Sequence, residues 1–136
     1  MKNLIQVKEN ILNLEESRMN SFLDIYFNSL NIPIDDESFI PEKRPNYKRF
    51  ACQLIRISDK YKIAISSIMS SKCAGAIYIL SLKRKELKIK KEMIENKCEI
   101  SKSTFNRFYK EINKILQPDS THIAKPELED LFKILQ

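Results

Sequence analysis

The chain has 136 residues, a formal net charge of +6, 43% hydrophobic and 9% aromatic residues, and a single glycine. A chain of this length and composition is expected to form one globular domain whose core folds without disulfide or metal staples. The scarcity of glycine leaves little material for tight β-hairpins or phosphate-cradling loops, so we expect an all-α protein.

The three cysteines, Cys52, Cys73 and Cys98, lie in apolar or helical surroundings without CxxC spacing. We expect them to be buried thiols of a reducing compartment, with no zinc site and no cofactor. The sequence offers neither the apolar core of a signal peptide nor a run of about eighteen apolar residues that would span a membrane. We therefore expect an intracellular protein with no membrane partner and no small-molecule substrate. It would be nuclear in a eukaryote, and cytoplasmic in an archaeon or for a cytoplasmic virus.

Helical periodicity dominates the first half of the chain. Residues 1–14 place apolar side chains at loosely helical spacing, and residues 17–30 repeat them at i, i+3, i+4, i+7, i+8 and i+11, which predicts a strongly amphipathic helix. Prolines and an acidic triplet then predict a long loop over 31–45. A further amphipathic helix is predicted over 46–61.

Residues 71–82 form the most apolar run and have almost no polar face, which predicts a central helix buried on all sides. A buried strand is the competing interpretation, but strands average about five or six residues and prefer β-branched side chains. A glycine within a helix costs roughly 0.5–1 kcal/mol relative to alanine, so Gly75 predicts that another backbone passes close by. Ser70 or Ser71 is expected to cap the start of this helix, and Lys83 to stabilise its end.

Two short helices with a tight connection are predicted after the central helix. Apolar residues over 89–94 outline the first, 97–100 form a turn, and Ser101 is the expected N-cap of a second helix over 101–116. This pair suggests a helix-turn-helix whose second helix is basic on its outer face. A closing helix is predicted over 126–135.

The positive charge is concentrated in one third of the chain. Residues 83–114 contain eleven Lys and Arg residues against five Glu, so this stretch carries the whole net charge of +6. A localised positive field favours nucleic acid or another polyanion as partner. The alternative is a lysine-rich surface that is merely solvated.

Three blocks of the sequence share a pattern with a known family. Residues 71–81 read Ser-Lys-Cys-Ala-Gly-Ala-Ile-Tyr-Ile-Leu-Ser, Thr104 precedes Tyr-Lys-Glu-Ile at 109–112, and residues 22–33 run from Phe-Leu to Ile-Pro. Together they resemble the second cyclin-type repeat of transcription factor IIB and its archaeal counterpart, transcription factor B. The resemblance implies a cyclin-like five-helix bundle around a central buried helix, with a C-terminal helix-turn-helix that meets promoter DNA beside the TATA element.

The resemblance covers roughly residues 17–116 and divides the chain into an N-terminal helical extension (1–16), the cyclin-like repeat (17–116) and a C-terminal tail helix (117–136). The partners that it implies are double-stranded promoter DNA, TATA-binding protein and RNA polymerase. In the recognition helix, the candidates for base-edge contacts are Ser103, Thr104, Asn106 and Arg107, and those for phosphate contacts are Lys102, Lys110 and Lys114. The candidate DNA-binding residues are Lys83, Arg84, Lys85, Lys88, Lys90, Lys91, Ser101, Lys102, Ser103, Thr104, Asn106, Arg107, Lys110 and Lys114.

The sequence departs from the family at the positions whose side chains contact DNA bases. The family's base-reading Val and Arg fall on Ser103 and Asn106, with an arginine displaced by one to Arg107, and one extra residue stands between Glu92 and Thr104. Family members also carry two repeats and an N-terminal zinc ribbon, whereas the resemblance here spans one repeat.

Two other functions compete with DNA binding. The first is a cyclin-box interaction module that binds a kinase or a transcription subunit without DNA, since fold alone does not separate the two. The second is an enzyme, which has little support because the single histidine, His122, has no serine or cysteine at a spacing that pairs with it. We expect no catalytic residue and no metal ligand.

Overall fold

The structure is a computed structural model that describes residues 4–34, 46–117 and 121–136. Every regular element in these ranges is helical, so the all-α prediction is confirmed, and none of the helices is both long and apolar enough to cross a membrane. The predicted loop over 31–45 lies outside the described residues from 35 onward. The elements are α1 (Leu4–Ser29), α2 (Tyr47–Lys60), α3 (Met69–Lys83), a short 3-10 helix (Lys85–Leu87), α4 (Lys91–Lys97), α5 (Lys102–Ile115) and α6 (Lys125–Lys133).

Helix α1 joins the two helical segments predicted over 1–14 and 17–30 into one continuous helix. No proline or glycine interrupts the chain between them, so the backbone hydrogen bonds continue through this region. The C-terminal half buries a stripe that includes Leu23 and Phe27 in the core. In the N-terminal half the apolar side chains Ile11 and Leu14 are 52% and 64% exposed.

Helix α3 lies at the centre of the bundle and packs against α1, α2, α4 and α5. Its buried residues include Cys73, Ile77 and Leu80, and each large aliphatic side chain buried in this way stabilises the fold by roughly 1.5–3 kcal/mol. The predicted burial of 71–82 is confirmed except at Lys72 and Tyr78, which are only partly buried, and at Leu82, whose side chain is 39% exposed. Leu82 lines a surface groove.

Gly75 marks the place where α3 and α5 cross. A Cβ atom built at this position would lie 2.6 Å from Phe108 Cδ1 and 3.2 Å from the backbone carbonyl oxygen of Phe105. The predicted close approach of another backbone is therefore confirmed, and that backbone belongs to α5. The missing side chain sets how deeply α5 packs onto α3.

The helix starts differ from the predicted caps. Helix α3 begins at Met69 with Ile68 at the N-cap, and no side chain caps it, so the predicted capping by Ser70 or Ser71 is wrong. Ser101 occupies the N-cap position of α5 as predicted, but its hydroxyl pairs with Ser103 Oγ at 2.9 Å and does not cap the helix.

The turn between α4 and α5 contains a backbone conformation that the sequence did not reveal. Glu99 adopts a φ of 51°, in the left-handed region that glycine occupies most easily. The backbone N–H of Lys102, at the start of α5, donates to Glu95 Oε2 at 2.7 Å. A carboxylate from α4 therefore holds the start of α5 across the turn.

Helix α6 closes the bundle against α2. Glu127 in its first turn accepts hydrogen bonds from Lys60 Nζ at 2.6 Å and from Tyr61 Oη at 2.7 Å. Leu128 and Leu131 are buried, as their helical spacing predicted. The acidic start of α6 thus has specific partners on α2 in addition to the helix dipole.

Candidate nucleic-acid interface

Helix α5 presents one apolar face and one polar face because its apolar residues recur at helical spacing. Phe105, Phe108 and Ile112 are fully buried. Most of the candidate DNA-binding residues predicted for the opposite face are exposed. Asn106 and Lys102 are the exceptions, because both are half-buried. The exposed ones are Ser103, Thr104, Arg107, Lys110 and Lys114.

Three cations on this face, Arg107, Lys110 and Lys114, have no ion pair and no hydrogen bond with any residue that the structure describes. An unpaired guanidinium or ammonium group needs no existing bond to be broken before it contacts a phosphate or a base edge. The outer face of α5 is thus available to an anionic partner.

A second basic surface lies where α3 ends and α4 begins. Lys85, Lys88, Lys90 and Lys91 line a groove of about 420 Å³ together with residues of α3. We call it the lysine groove. One carboxylate, Glu92, also lines it. Closely spaced lysines around a concave surface raise the local positive potential and favour a polyanion. The remaining lining residues are Tyr78, Ser81, Leu82 and Ile89.

Lys91 connects the lysine groove to α5. Its Nζ donates to Asn106 Oδ1 at 2.8 Å and lies 5.0 Å and 5.1 Å from the ring centres of Tyr78 and Tyr109. The two rings meet edge to face with centroids 4.8 Å apart. Because a bidentate contact with adenine uses both the oxygen and the nitrogen of an amide, Asn106 would have to share its Oδ1 between Lys91 and the base, or release Lys91, to make that contact.

Other candidate cations of the sequence are already partnered. Lys102 Nζ pairs with Glu92 Oε1 at 2.9 Å, and this hydrogen bond raises the pKa of Lys102 and lowers the pKa of Glu92. Arg84 Nε lies 2.8 Å from Glu86 Oε1. Lys83 Nζ lies 5.1 Å from the ring centre of Phe132. Ser101 is exposed. The charges of Lys102 and Arg84 are thus partly neutralised by carboxylates, and that of Lys83 lies beside an aromatic ring.

One part of the site was not predicted. Residues of the connection before α3 and residues at the start of α5 surround a cavity of about 270 Å³, which we call the serine cavity. The sequence placed Ser103, Thr104 and Arg107 among the candidate DNA-binding residues and Ser71 at a helix start, but it did not indicate that they would meet at one cavity. The signal that could have suggested the site is hydroxyl residues at the starts of two helices. The cavity is lined by Ser66, Ser67, Ile68, Ser71, Ser103, Thr104 and Arg107.

No protein-family model, curated protein or solved structure matches the chain. Its function must therefore be argued from its own residues.

Neither the cysteine thiols nor the acidic side chains form a reactive or metal-binding cluster in the part of the chain that the structure describes. Burial raises the pKa of Cys52 and Cys73, and it raises the pKa of the half-buried Cys98 to about 12, so all three stay protonated near neutral pH. Across 4–34, 46–117 and 121–136, no group of three or more His, Cys, Asp or Glu residues could hold a metal ion. The arrangement is suited to binding an anion.

Proposed function

We propose that this chain is a DNA-binding protein similar to transcription factor IIB, acting in transcription initiation or its regulation. It would use one cyclin-like repeat over 17–116, with α3 as the central helix of five and α4 and α5 as a helix-turn-helix. The observation that carries the proposal is the exposed face of α5, with three unpaired cations beside the lysine groove.

Helix α5 would act as the recognition helix. The major groove of B-DNA is about 12 Å wide and admits an α-helix whose N-terminal residues meet base edges. Arg107 is the strongest candidate for base reading, because a guanidinium can bind guanine O6 and N7 together and this one has no competing partner in the described part of the chain. Ser103 and Thr104 precede it on the exposed side.

The lysines would supply affinity without sequence preference. Lys110 and Lys114 follow Arg107 along α5, and Lys85, Lys88 and Lys90 lie in the lysine groove. Phosphate contacts of this kind fix the orientation of the protein on the duplex and make binding depend on salt. Lys91 would instead hold α4 against α5.

The test of the proposal is a fluorescence anisotropy titration with a random duplex and a duplex that contains a TATA element, each with and without a TATA-binding protein. Salt-sensitive binding that tightens with the TATA element and its binding protein is the expected result. Equal affinity for both duplexes under all conditions would contradict the promoter-specific part of the proposal.

The second candidate function is an interaction module that binds a kinase or a transcription subunit without DNA. It is favoured by the apolar side chains that α1 exposes, since Val7, Ile11, Leu12 and Leu14 are 41% to 64% exposed in one helical segment. Large exposed apolar patches commonly mark protein interaction sites. Absence of DNA binding above background at low salt would favour this function.

A further inference from the structure

The serine cavity lies where two helices begin. Helix α3 reaches it with Ile68 and Ser71, and α5 reaches it with Ser103 and Thr104. At neither start does the N-cap side chain bond the helix backbone. Helix N-termini carry unpaired N–H groups and a partial positive charge that favour anions. The first turns of both helices supply lining residues of this one cavity, although at α5 the N–H of Lys102 is already bonded to Glu95 Oε2.

Ser71 supplies an independent indication of a ligand. Its side chain is buried, with a relative exposure of 1%, and its Oγ has no hydrogen-bond partner among the described residues. Buried polar groups in folded proteins are almost always hydrogen-bonded. A hydroxyl on the wall of a cavity, buried and without a partner, is satisfied when an acceptor occupies that cavity.

The charge of the cavity determines which ligand fits. Among the residues that the structure describes, Arg107 is the only charged one that lines the cavity, and none of the lining residues is a carboxylate. Its volume of about 270 Å³ is several times the roughly 30 Å³ share of a water molecule, so a tetrahedral oxyanion has room. Hydroxyls and helix N-termini bind phosphate in proteins, and the positive charge of Arg107 raises the potential of the cavity even when its N–H groups contact a base edge.

We infer that the serine cavity binds a phosphate of the nucleic-acid backbone. This inference rests on the proposed function and deepens it. Successive residues of a helix are about 100° apart, so Thr104 and Asn106 point to nearly opposite sides of α5. Thr104 lines the serine cavity, and Asn106 holds Lys91 of the lysine groove. The serine cavity and the lysine groove therefore flank the recognition helix. Each of them can bind the DNA backbone on its own side of that helix.

The first test uses inorganic phosphate and amide NMR spectra of the whole chain. Phosphate should shift the amide signals of Ser71, Ser103 and Thr104 in a saturable manner, whereas chloride at equal ionic strength should not. Ser71→Ala should weaken phosphate and duplex DNA binding by roughly tenfold, because a hydrogen bond to a charged group is lost. Ser70→Ala, at the neighbouring half-buried position outside the lining of the cavity, is the matched control.

The stability of the variants separates binding from folding. Ser71→Ala removes a buried hydroxyl without a partner, so its melting temperature without phosphate should equal or exceed that of the wild type. Weaker binding in a protein of undiminished stability would support the site. Phosphate titration without shifts at these amides, in a protein that still binds DNA, would overturn the inference and leave the proposed function standing.

The remaining outcomes are also distinct. Saturable phosphate shifts combined with unchanged DNA affinity of Ser71→Ala would overturn the assignment of the phosphate to the nucleic-acid backbone. Saturable shifts in a protein that binds no DNA would overturn that assignment together with the proposed function, and would leave a site for free phosphate only.

Discussion

Gly75→Ala tests whether the crossing of α3 and α5 is as close as the structure has it. The new Cβ would meet Phe108 Cδ1 at 2.6 Å and the Phe105 carbonyl oxygen at 3.2 Å. Phe108 is fully buried and cannot swing into solvent, so overpacking should cost about 1–3 kcal/mol. Replacing a glycine by alanine within a helix stabilises that helix by roughly 0.8–1 kcal/mol. We expect a net loss of about 1 kcal/mol in the free energy of unfolding.

Urea denaturation followed by far-UV circular dichroism measures this loss, and Phe108→Ala provides the control. Without the ring, Gly75→Ala should become neutral or stabilising, so the double-mutant cycle should show a coupling of about 1 kcal/mol or more. The Phe108 truncation alone should cost about 3–5 kcal/mol. If Gly75→Ala stabilises the wild-type background, the close crossing is refuted.

Two further predictions concern an ion pair and a turn. Arg56 binds Glu16 with two hydrogen bonds of 2.9 Å, which lower the pKa of Glu16 below 4.5. The pair therefore stabilises the fold above that pH and loses its effect as the pH falls through the lowered pKa. Because both groups are largely solvated, Glu16→Gln should cost at most about 1 kcal/mol at neutral pH, and progressively less as the pH falls through the lowered pKa of Glu16. A cost in urea titrations that does not decrease with falling pH would contradict this prediction. Glu99→Gly should stabilise by up to about 1 kcal/mol because φ is 51°, whereas Glu99→Val should destabilise. The reverse order of melting temperatures would refute the left-handed conformation.

The continuous apolar run was sufficient to predict α3, and apolar periodicity was sufficient to predict the two faces of α5, because burial on these helices follows the apolar residues directly. Periodicity was insufficient for α1. There the exposed residues Ile11 and Leu14 lie about 120° to 180° around the helix from the buried Leu23 and Phe27, given about 100° per residue. The change in apolar phase suggested two helices, although the backbone is continuous.

The candidate interface was predictable only where a single helix builds it. The exposure of Arg107 and Lys110 followed from the pattern of α5. The bonds of Lys91 to Asn106 and of Lys102 to Glu92 join residues of different helices, and no local pattern encodes them. The serine cavity likewise depends on the contact of α3 with α5, which brings Ser71 and Arg107 to one site.

The most direct measurement of DNA binding by this basic surface is the salt dependence of duplex affinity in a charge-matched pair of variants. One replaces Lys85, Lys88 and Lys90 of the lysine groove by glutamine. The other replaces Lys8, Lys62 and Lys125, which are exposed lysines outside α4, α5 and the groove, and thus removes the same charge.

Each phosphate contact contributes about 0.9 to the slope of log affinity against log salt. The groove variant should therefore bind more weakly and lose up to roughly 2.7 of that slope, while the control variant keeps the wild-type slope. Identical slopes for the two variants and the wild type would contradict DNA binding through the lysine groove.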